Sequence, residues 1–181
     1  MADYLHLPHR DQEGNFNVVV ESPRGSGVKF KYDFERDAFV FQRALPVGIA
    51  YPFDWGFIAG TRAPDGDPLD AMVIHDATSW PGALIPARAV GILCVTQKGA
   101  RGRRERNDRV ILVPTTSDRY ADVADVPQRL RAELERFFKV TSRSEKEIEI
   151  VGWQDGHFAE KAVDDVARKR TTNPLSERGT G

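Results

Sequence analysis

The chain has 181 residues, 40% hydrophobic and 29% charged, and its single cysteine excludes an internal disulfide framework. The 26 basic and 27 acidic residues give a net charge of -1, so we expect neither nucleic acid nor a membrane surface as a partner. Because no apolar run reaches the length of a membrane span and the first residues lack a signal-peptide core, we expect a cytoplasmic protein. We expect one domain over residues 1–170 and a disordered polar tail over 171–181.

The first part of the chain is predicted to be rich in β-strands. Residues 16–21 are rich in β-branched side chains, and residues 28–33 alternate between apolar and charged side chains. Residues 38–43 form another short strand after a tight turn. Strands joined by tight turns favour a barrel or a meander. The aromatic, glycine-containing stretch 51–58 predicts core aromatics packed under a loop.

The middle of the chain predicts a long β-hairpin. Residues 87–97 form a long β-rich segment, and residues 110–113 form the return strand. The stretch between them, 98–109, is strongly basic and has no interleaved aromatic residues. A solvated connection is therefore favoured over a nucleic-acid surface.

The last third of the chain changes from a strand period to a helix period. Asp125 and Pro127 mark a helix start, and an apolar stripe follows at helical spacing. Residues 148–153 alternate like a final strand. Asp155 is suited to cap a second helix.

The stretch with the clearest chemical signal is 65–70, which reads Asp-Gly-Asp-Pro-Leu-Asp. Gly66 and Pro68 favour a rigid bend, and the following residues 71–75 form a predicted strand. Three carboxylates gathered by a bend suit a hard cation such as Mg²⁺ or Ca²⁺. An EF-hand loop is excluded, because position six is aspartate where glycine is needed. A solvated acidic turn remains the alternative from this stretch alone.

Together with other landmarks, this stretch resembles the family I soluble inorganic pyrophosphatases from residue 17 to residue 167. The matching landmarks are Glu21, Pro23, Gly25-Ser26, Lys29, Arg43, Tyr51-Pro52, Gly56, the acidic bend, Pro81-Gly82, Val90-Gly91, Pro114, Asp125-Val-Pro127, Phe137-Phe138 and Gly152-Trp153. The resemblance implies an α+β fold, with a small five-stranded OB-like closed β-barrel flanked by two α-helices.

The resemblance also implies an activity, which is hydrolysis of inorganic pyrophosphate to two phosphates. The implied cofactor is Mg²⁺, with Mn²⁺ or Co²⁺ able to replace it, and the implied assembly is a homo-oligomer. The implied roles are metal binding by Asp65, Asp70, Glu21 and Asp67, phosphate binding by Lys29, Lys31, Arg43 and Arg109, proton abstraction by Asp67, and support of the site by Tyr51.

Several positions depart from the pattern of that family. The departures are Lys31 for Glu, Gln97 for Asp, Asn107 for Asp, Trp55 for Tyr, and Thr141-Ser142 for a Tyr-Lys pair. The first three make the metal side of the site more positive. We therefore hypothesise that this chain binds fewer metal ions than its relatives, with Lys31 taking over part of one cation's role.

Three alternatives remain open at the sequence level. The chain could be a non-catalytic descendant that binds a phosphorylated ligand or a protein partner. It could also be a hydrolase of a larger phosphoanhydride such as a nucleotide, with Trp55 stacking on a base. Finally, a register shift could place Asp108 among the metal ligands, although strand alternation points Asp108 away from the face of Asn107 and Arg109.

Overall fold

The computed structural model describes residues 4, 6–63, 66–99, 102–142 and 147–172. Over these residues, the chain forms β-strands, two α-helices and one 3₁₀ turn. The strands are β1 Phe16–Ser22, β2 Val28–Asp33, β3 Ala38–Ala44, β4 Asp54–Ile58, β5 Asp70–Val73, β6 Leu84–Lys98, β7 Arg104–Arg106, β8 Arg109–Pro114 and β9 Glu149–Asp155. The 3₁₀ turn is Val123–Asp125, and the helices are α1 Gln128–Thr141 and α2 Gly156–Thr172.

Most strands belong to one mixed sheet, and two form a separate hairpin. Within the described ranges, the mixed sheet runs in the order β1-β4-β5-β8-β6-β7, with β9 paired to β6. The β5–β8 pair is parallel. Strand β1 pairs with β6 as well as with β4. This second pairing is compatible with the closed five-stranded barrel, which stays a prediction. Strands β7 and β9 belong to the same sheet but lie outside the five strands β1, β4, β5, β8 and β6.

The strands form where the hydrophobic pattern predicts them. Strand β2 has the predicted bounds, and β1, β3 and β9 differ from them by one or two residues. The predicted strand 71–75 is found as β5, which begins and ends earlier. The basic connection contains the short exposed strand β7, which pairs with the end of β6.

Besides the short β7, one further strand was not predicted from the sequence. Residues 54–58, predicted as a loop over core aromatics, form strand β4 with every residue buried. A fully buried strand has no polar face, so the alternating pattern is absent. At Gly56, a Cβ atom would lie 1.8 Å from the carbonyl oxygen of Val19 on β1, so only glycine allows this close pairing of β1 and β4.

Both helices pack against the sheet, α1 through its predicted apolar stripe and α2 through Ala159, Val163 and Ala167. Helix α1 buries Leu134 and Phe138, which belong to a core cluster with Trp55 and Met72. Helix α2 buries residues in a second cluster on the other part of the sheet. The predicted cap of α2 is confirmed, because the Asp155 Oδ1 accepts a hydrogen bond from the Phe158 N–H at 2.7 Å.

Two predictions concern residues at the limits of the described chain. Helix α2 continues to residue 172, and residues 173–181 lie outside the described residues, so the disordered tail stays a prediction. Asp65, the first carboxylate of the acidic bend, also lies outside them. Among the described helices, none combines the length and the apolar character needed to cross a bilayer.

Candidate active site

A cavity of about 340 Å³ opens between the β2–β3 hairpin, the acidic bend, the start of β8 and the end of α1. It gathers the sequence-predicted site residues that the structure describes. These are Glu21, Lys29, Lys31, Arg43, Tyr51, Asp67, Asp70 and Arg109. The residues come from elements far apart in the chain, and the fold brings them to one place.

The β2–β3 hairpin supplies two cations side by side. Lys29 and Arg43 are direct cross-strand partners, and the pairing shifts register immediately after Lys29. The Arg43 guanidinium also donates a hydrogen bond to the carbonyl oxygen of Thr141 at the end of α1. Two like charges in direct opposition destabilise a hairpin. An anion bound between them would relieve this repulsion.

The carboxylate side of the cavity is formed by Glu21, Asp67 and Asp70. Glu21 is buried at the end of β1, where one of its oxygens accepts a hydrogen bond from the Tyr32 N–H at 2.8 Å. Burial, with a smaller contribution from the Asp70 charge, raises the pKa of Glu21 to about 7. The cations Lys29 and Lys31 oppose this increase.

The side chain of Lys31 extends into this cluster of three carboxylates. Its Nζ donates a hydrogen bond to the Asp67 Oδ2 at 2.7 Å. Burial lowers the pKa of Lys31, but the bond to Asp67 and the charges of Asp67, Glu21 and Asp70 outweigh burial and raise it overall. The ammonium is therefore charged throughout the physiological pH range.

Beside these carboxylates, two amide side chains occupy positions where the family resemblance implies aspartates. The Asn107 Nδ2 donates a hydrogen bond to the Gln97 Oε1 at 2.9 Å, and Gln97 is buried. The neighbouring Asp108 accepts hydrogen bonds from Arg106, the shortest at 2.6 Å, and from the Val95 N–H at 3.0 Å. Asp108 is thus engaged by its own hairpin, which argues against the register shift.

Arg109 places a third cation at the cavity. The residue is 6% exposed, and among the described residues its Nε has no hydrogen-bond partner. Another guanidinium nitrogen donates to the carbonyl oxygen of Asn107, and the group lies 5.2 Å from the centre of the Phe138 ring. Burial lowers the pKa of Arg109, while Asp70 and Asp108 oppose the change. A buried donor without a partner is suited to an anionic ligand.

The remaining wall is aromatic. Tyr51 packs edge-on against Phe137, and the rings of Trp55 and Phe138 lie 5.5 Å apart. Trp55 is only 4% exposed, so its faces are used by core contacts rather than open to a base. Burial raises the pKa of Tyr51 well above its ordinary value, so its hydroxyl stays neutral and can donate a hydrogen bond.

The donor atoms of the site fit a hard divalent cation. The carboxylates of Glu21, Asp67 and Asp70 line one cavity, and oxygen ligands are those that Mg²⁺ prefers. Over the described part of the chain, no three acidic, histidine or cysteine side chains are close enough to form a preformed metal centre. The fourth expected ligand, Asp65, lies outside that part.

Two polar side chains at the cavity were not predicted from the sequence in any role. Gln42 and Arg106 also line it. Gln42 lies beside the register shift of the β2–β3 hairpin, and Arg106 lies on β7, within the stretch predicted to be a solvated connection. Local patterns do not indicate either residue, because their positions depend on how strands pair.

Comparison with known proteins identifies relatives along most of the chain. The model of a family described as inorganic pyrophosphatase matches residues 18–171. An inorganic pyrophosphatase from Nostoc sp. is 36% identical over 167 residues, which cover 90% of this chain and 95% of the relative. The protein of that name from Thermus thermophilus is 34% identical over 168 residues, covering 90% of this chain and 95% of the relative.

Solved structures show the same similarity in three dimensions. The inorganic pyrophosphatase of Thermus thermophilus superimposes with a TM-score of 0.84 at 32% identity, covering 94% of this chain and 99% of that one. The enzyme from Neisseria gonorrhoeae superimposes with a TM-score of 0.83 at 25% identity, with the same coverage. The matches span the elements that build the cavity.

Proposed function

The chain belongs to the inorganic pyrophosphatase family, and on this basis we propose that it hydrolyses inorganic pyrophosphate to two phosphates with Mg²⁺ as its cofactor. The observation that carries the proposal is a single cavity with cations on one side and carboxylates on the other. A highly anionic substrate needs both, since the cations bind it directly and the carboxylates hold metal ions. The homo-oligomer and the cytoplasmic location stay predictions.

Three cationic side chains are placed to bind the phosphate oxygens. Lys29 and Arg43 form one cross-strand pair, and Arg109 faces the cavity from β8 with an Nε that has no hydrogen-bond partner among the described residues. The guanidinium groups offer planar pairs of N–H donors, which match phosphate geometry. The neutral hydroxyl of Tyr51 supplies a further hydrogen bond. These groups fix the substrate and stabilise the charge that develops on the leaving phosphate.

The chemical step requires a proton acceptor. We assign this role to Asp67, which takes a proton from the attacking water as the new phosphorus–oxygen bond forms. The bond from phosphorus to the bridging oxygen then breaks, and the second phosphate leaves with the electron pair of that bond. One water is consumed for each pyrophosphate. With 54% of its side chain exposed, Asp67 can be reached by water.

The family is metal-dependent, and Mg²⁺ is the proposed cofactor of this chain. Asp70, Asp67, Glu21 and Asp65 are the residues proposed to hold it. When bound, the cation neutralises substrate charge and makes the attacking water more acidic. Glu21 gives up its proton on binding a cation, because only the carboxylate form is a ligand.

One observation favours a second function. Lys31 already donates a hydrogen bond to one carboxylate oxygen of Asp67, the proposed base. A site in which this base stays neutralised would bind pyrophosphate or a related phosphate ligand without cleaving it. Affinity without turnover is therefore the outcome that supports the second function.

Phosphate release from pyrophosphate, measured across a range of Mg²⁺ concentrations, tests the proposal. We expect metal-dependent release by the wild type, and loss of about 100-fold or more in Asp67→Asn. Asp165→Asn on the exposed side of α2 is the matched control and should keep wild-type activity. Equal rates in wild type and Asp67→Asn would overturn the assignment of the base. No release by the wild type at any Mg²⁺ concentration would overturn the proposed function.

A further inference from the structure

A cationic side chain lies within the cluster of carboxylates that lines the cavity. The Lys31 ammonium lies 2.7 Å from the Asp67 Oδ2, and the charges of Glu21 and Asp70 act on it as well. The side chains of Lys31 and Asp67 are 36% and 54% exposed, respectively, so the pair is reached by solvent yet partly enclosed. An ammonium in this position neutralises part of the negative charge of these carboxylates.

The neighbouring wall lacks the charge that would hold a further metal ion. Gln97 and Asn107 are neutral, and their amides bond to each other at 2.9 Å. The nearest carboxylate there, Asp108, is neutralised by Arg106 at 2.6 Å. Divalent cations bind weakly where neutral amide oxygens replace carboxylates. The Lys31 ammonium and the neutral amides therefore both reduce the number of divalent cations that the cavity can bind.

Resting on the proposed function, we propose that Lys31 is a built-in counter-cation that takes the place of one divalent cation beside Asp67. A divalent ion close to Asp67 would meet the repulsion of the ammonium at short range. The ion must displace the ammonium from the carboxylate or bind elsewhere, on the side of Asp70. The cavity consequently takes pyrophosphate with fewer divalent ions than its carboxylates alone would allow.

The Lys31–Asp67 pair also explains how Lys31 can contact Asp67 in the empty site and pyrophosphate in the occupied site. When pyrophosphate enters, its oxygens compete with Asp67 for the Lys31 ammonium. When the ammonium contacts the substrate instead of Asp67, the Asp67 carboxylate can accept a proton. Lys31 is thus a positioning residue for Asp67 in the empty site and a direct contact in the occupied one.

Equilibrium binding of Mn²⁺ alone, without pyrophosphate, tests the inference. Free Mn²⁺ is counted by electron paramagnetic resonance during titration of the wild type and of Lys31→Met, Lys31→Gln and Lys31→Arg. We expect Lys31→Met and Lys31→Gln to bind one further Mn²⁺ per chain, or to bind the first about tenfold more tightly, because a repelling charge is removed. Lys31→Arg keeps the charge and should behave like the wild type.

Two controls distinguish a local effect at the cavity from a general effect on charge or folding. Lys161→Met removes the charge of an exposed residue on α2 that does not line the cavity, and should leave Mn²⁺ binding unchanged. Circular dichroism establishes that each variant is folded, and the Gln and Met variants provide two independent removals of the charge. Identical Mn²⁺ number and affinity in wild type, Lys31→Met and Lys31→Gln would overturn the inference.

The binding experiment separates this inference from the proposed function. Tighter Mn²⁺ binding in the neutral variants, with no phosphate release by the wild type, would support the counter-cation and overturn the hydrolase. Unchanged Mn²⁺ binding, with normal phosphate release by the wild type, would do the reverse. The readout is a metal count on the free protein, so it does not depend on turnover.

Discussion

Lys29 and Arg43 lie directly opposite each other on the two strands of the β2–β3 hairpin, with both side chains at the cavity. Two like charges in this position cost stability in an empty protein. A hairpin that keeps them is suited to bind a strongly charged anion between its strands. The pairing of these two strands therefore favours a strongly charged anion as the substrate.

Replacing Lys29 should separate its effect on activity from its effect on folding. We expect Lys29→Met to lower kcat/KM for pyrophosphate by about 100-fold or more, because one charge bound to the transition state is lost. Stability to urea should change far less than activity, since Lys29→Met removes both the repulsion with Arg43 and the attraction to Glu21. Steady-state kinetics and a urea titration measure the two quantities.

Lys161→Met is the matched control for that experiment, because Lys161 is exposed on α2 and does not line the cavity. Its kinetics should match the wild type. A Lys29→Met variant that keeps full activity would contradict the assigned role of this lysine.

Glu21 should make the metal-free protein sensitive to pH. Its pKa is raised from 4.5 to about 7 in the folded state, so the folded state holds the proton more tightly than the unfolded chain. The resulting stability is fully present below about pH 4.5 and is lost as the pH rises through about 7. The loss should be on the order of 3 kcal/mol. Urea unfolding in the presence of a chelator measures it.

Glu21→Gln should remove this part of the pH dependence, because the amide keeps an oxygen for the Tyr32 N–H but cannot ionise. Glu35→Gln changes an exposed glutamate in the turn after β2 and should leave the pH profile as in the wild type. If wild type and Glu21→Gln lose stability in parallel over this range, another group is responsible.

Gly56 should tolerate no side chain. The Cβ of an alanine would lie 1.8 Å from the Val19 carbonyl oxygen, so β1 and β4 would have to separate. We expect Gly56→Ala to lower the free energy of unfolding by about 3 kcal/mol or more, or to prevent folding. Gly27→Ala is the control, since its Cβ would meet only the Ile49 carbonyl oxygen at 3.8 Å. Thermal unfolding compares the two, and equal melting temperatures would contradict the packing described at Gly56.

The buried position of Trp55 has a consequence for substrate choice. Its ring packs against Phe138 and Tyr51, and only 4% of the residue is exposed, which is too little surface to stack on a base. We expect kcat/KM for nucleoside triphosphates to be about 100-fold or more below that for pyrophosphate. A kinetic comparison with Mg²⁺ present tests this expectation. Comparable values would restore the nucleotide hydrolase as the leading alternative.

Sequence patterns predicted the elements that have one polar and one apolar face. Strand β2 alternates cleanly, and helix α1 carries its stripe at helical spacing, so both were found. Strand β4 was missed because burial on both faces removes the alternation, and its glycine and aromatic residues indicate a loop equally well. Strand β1 pairs with β6 as well as with β4, and no local pattern contains a pairing between segments so far apart in the chain.

The candidate site was predictable where one short segment carries the chemistry. The acidic bend and its neighbours supplied Asp67 and Asp70 from local sequence, and the family resemblance supplied Glu21. The bond between Lys31 and Asp67 joins residues 36 positions apart and required the fold. Arg106 was missed for the same reason, since only the pairing of β6 with β7 brings it to the cavity.

The most direct test of the central claim follows the substrate itself. Phosphorus nuclear magnetic resonance of pyrophosphate with the protein and Mg²⁺ should show the pyrophosphate signal converted to two phosphates for each molecule consumed. The conversion should stop when a chelator is added, and it should be absent with Asp67→Asn. A pyrophosphate signal that persists with the wild type and Mg²⁺, or a conversion equal in wild type and Asp67→Asn, would contradict the account.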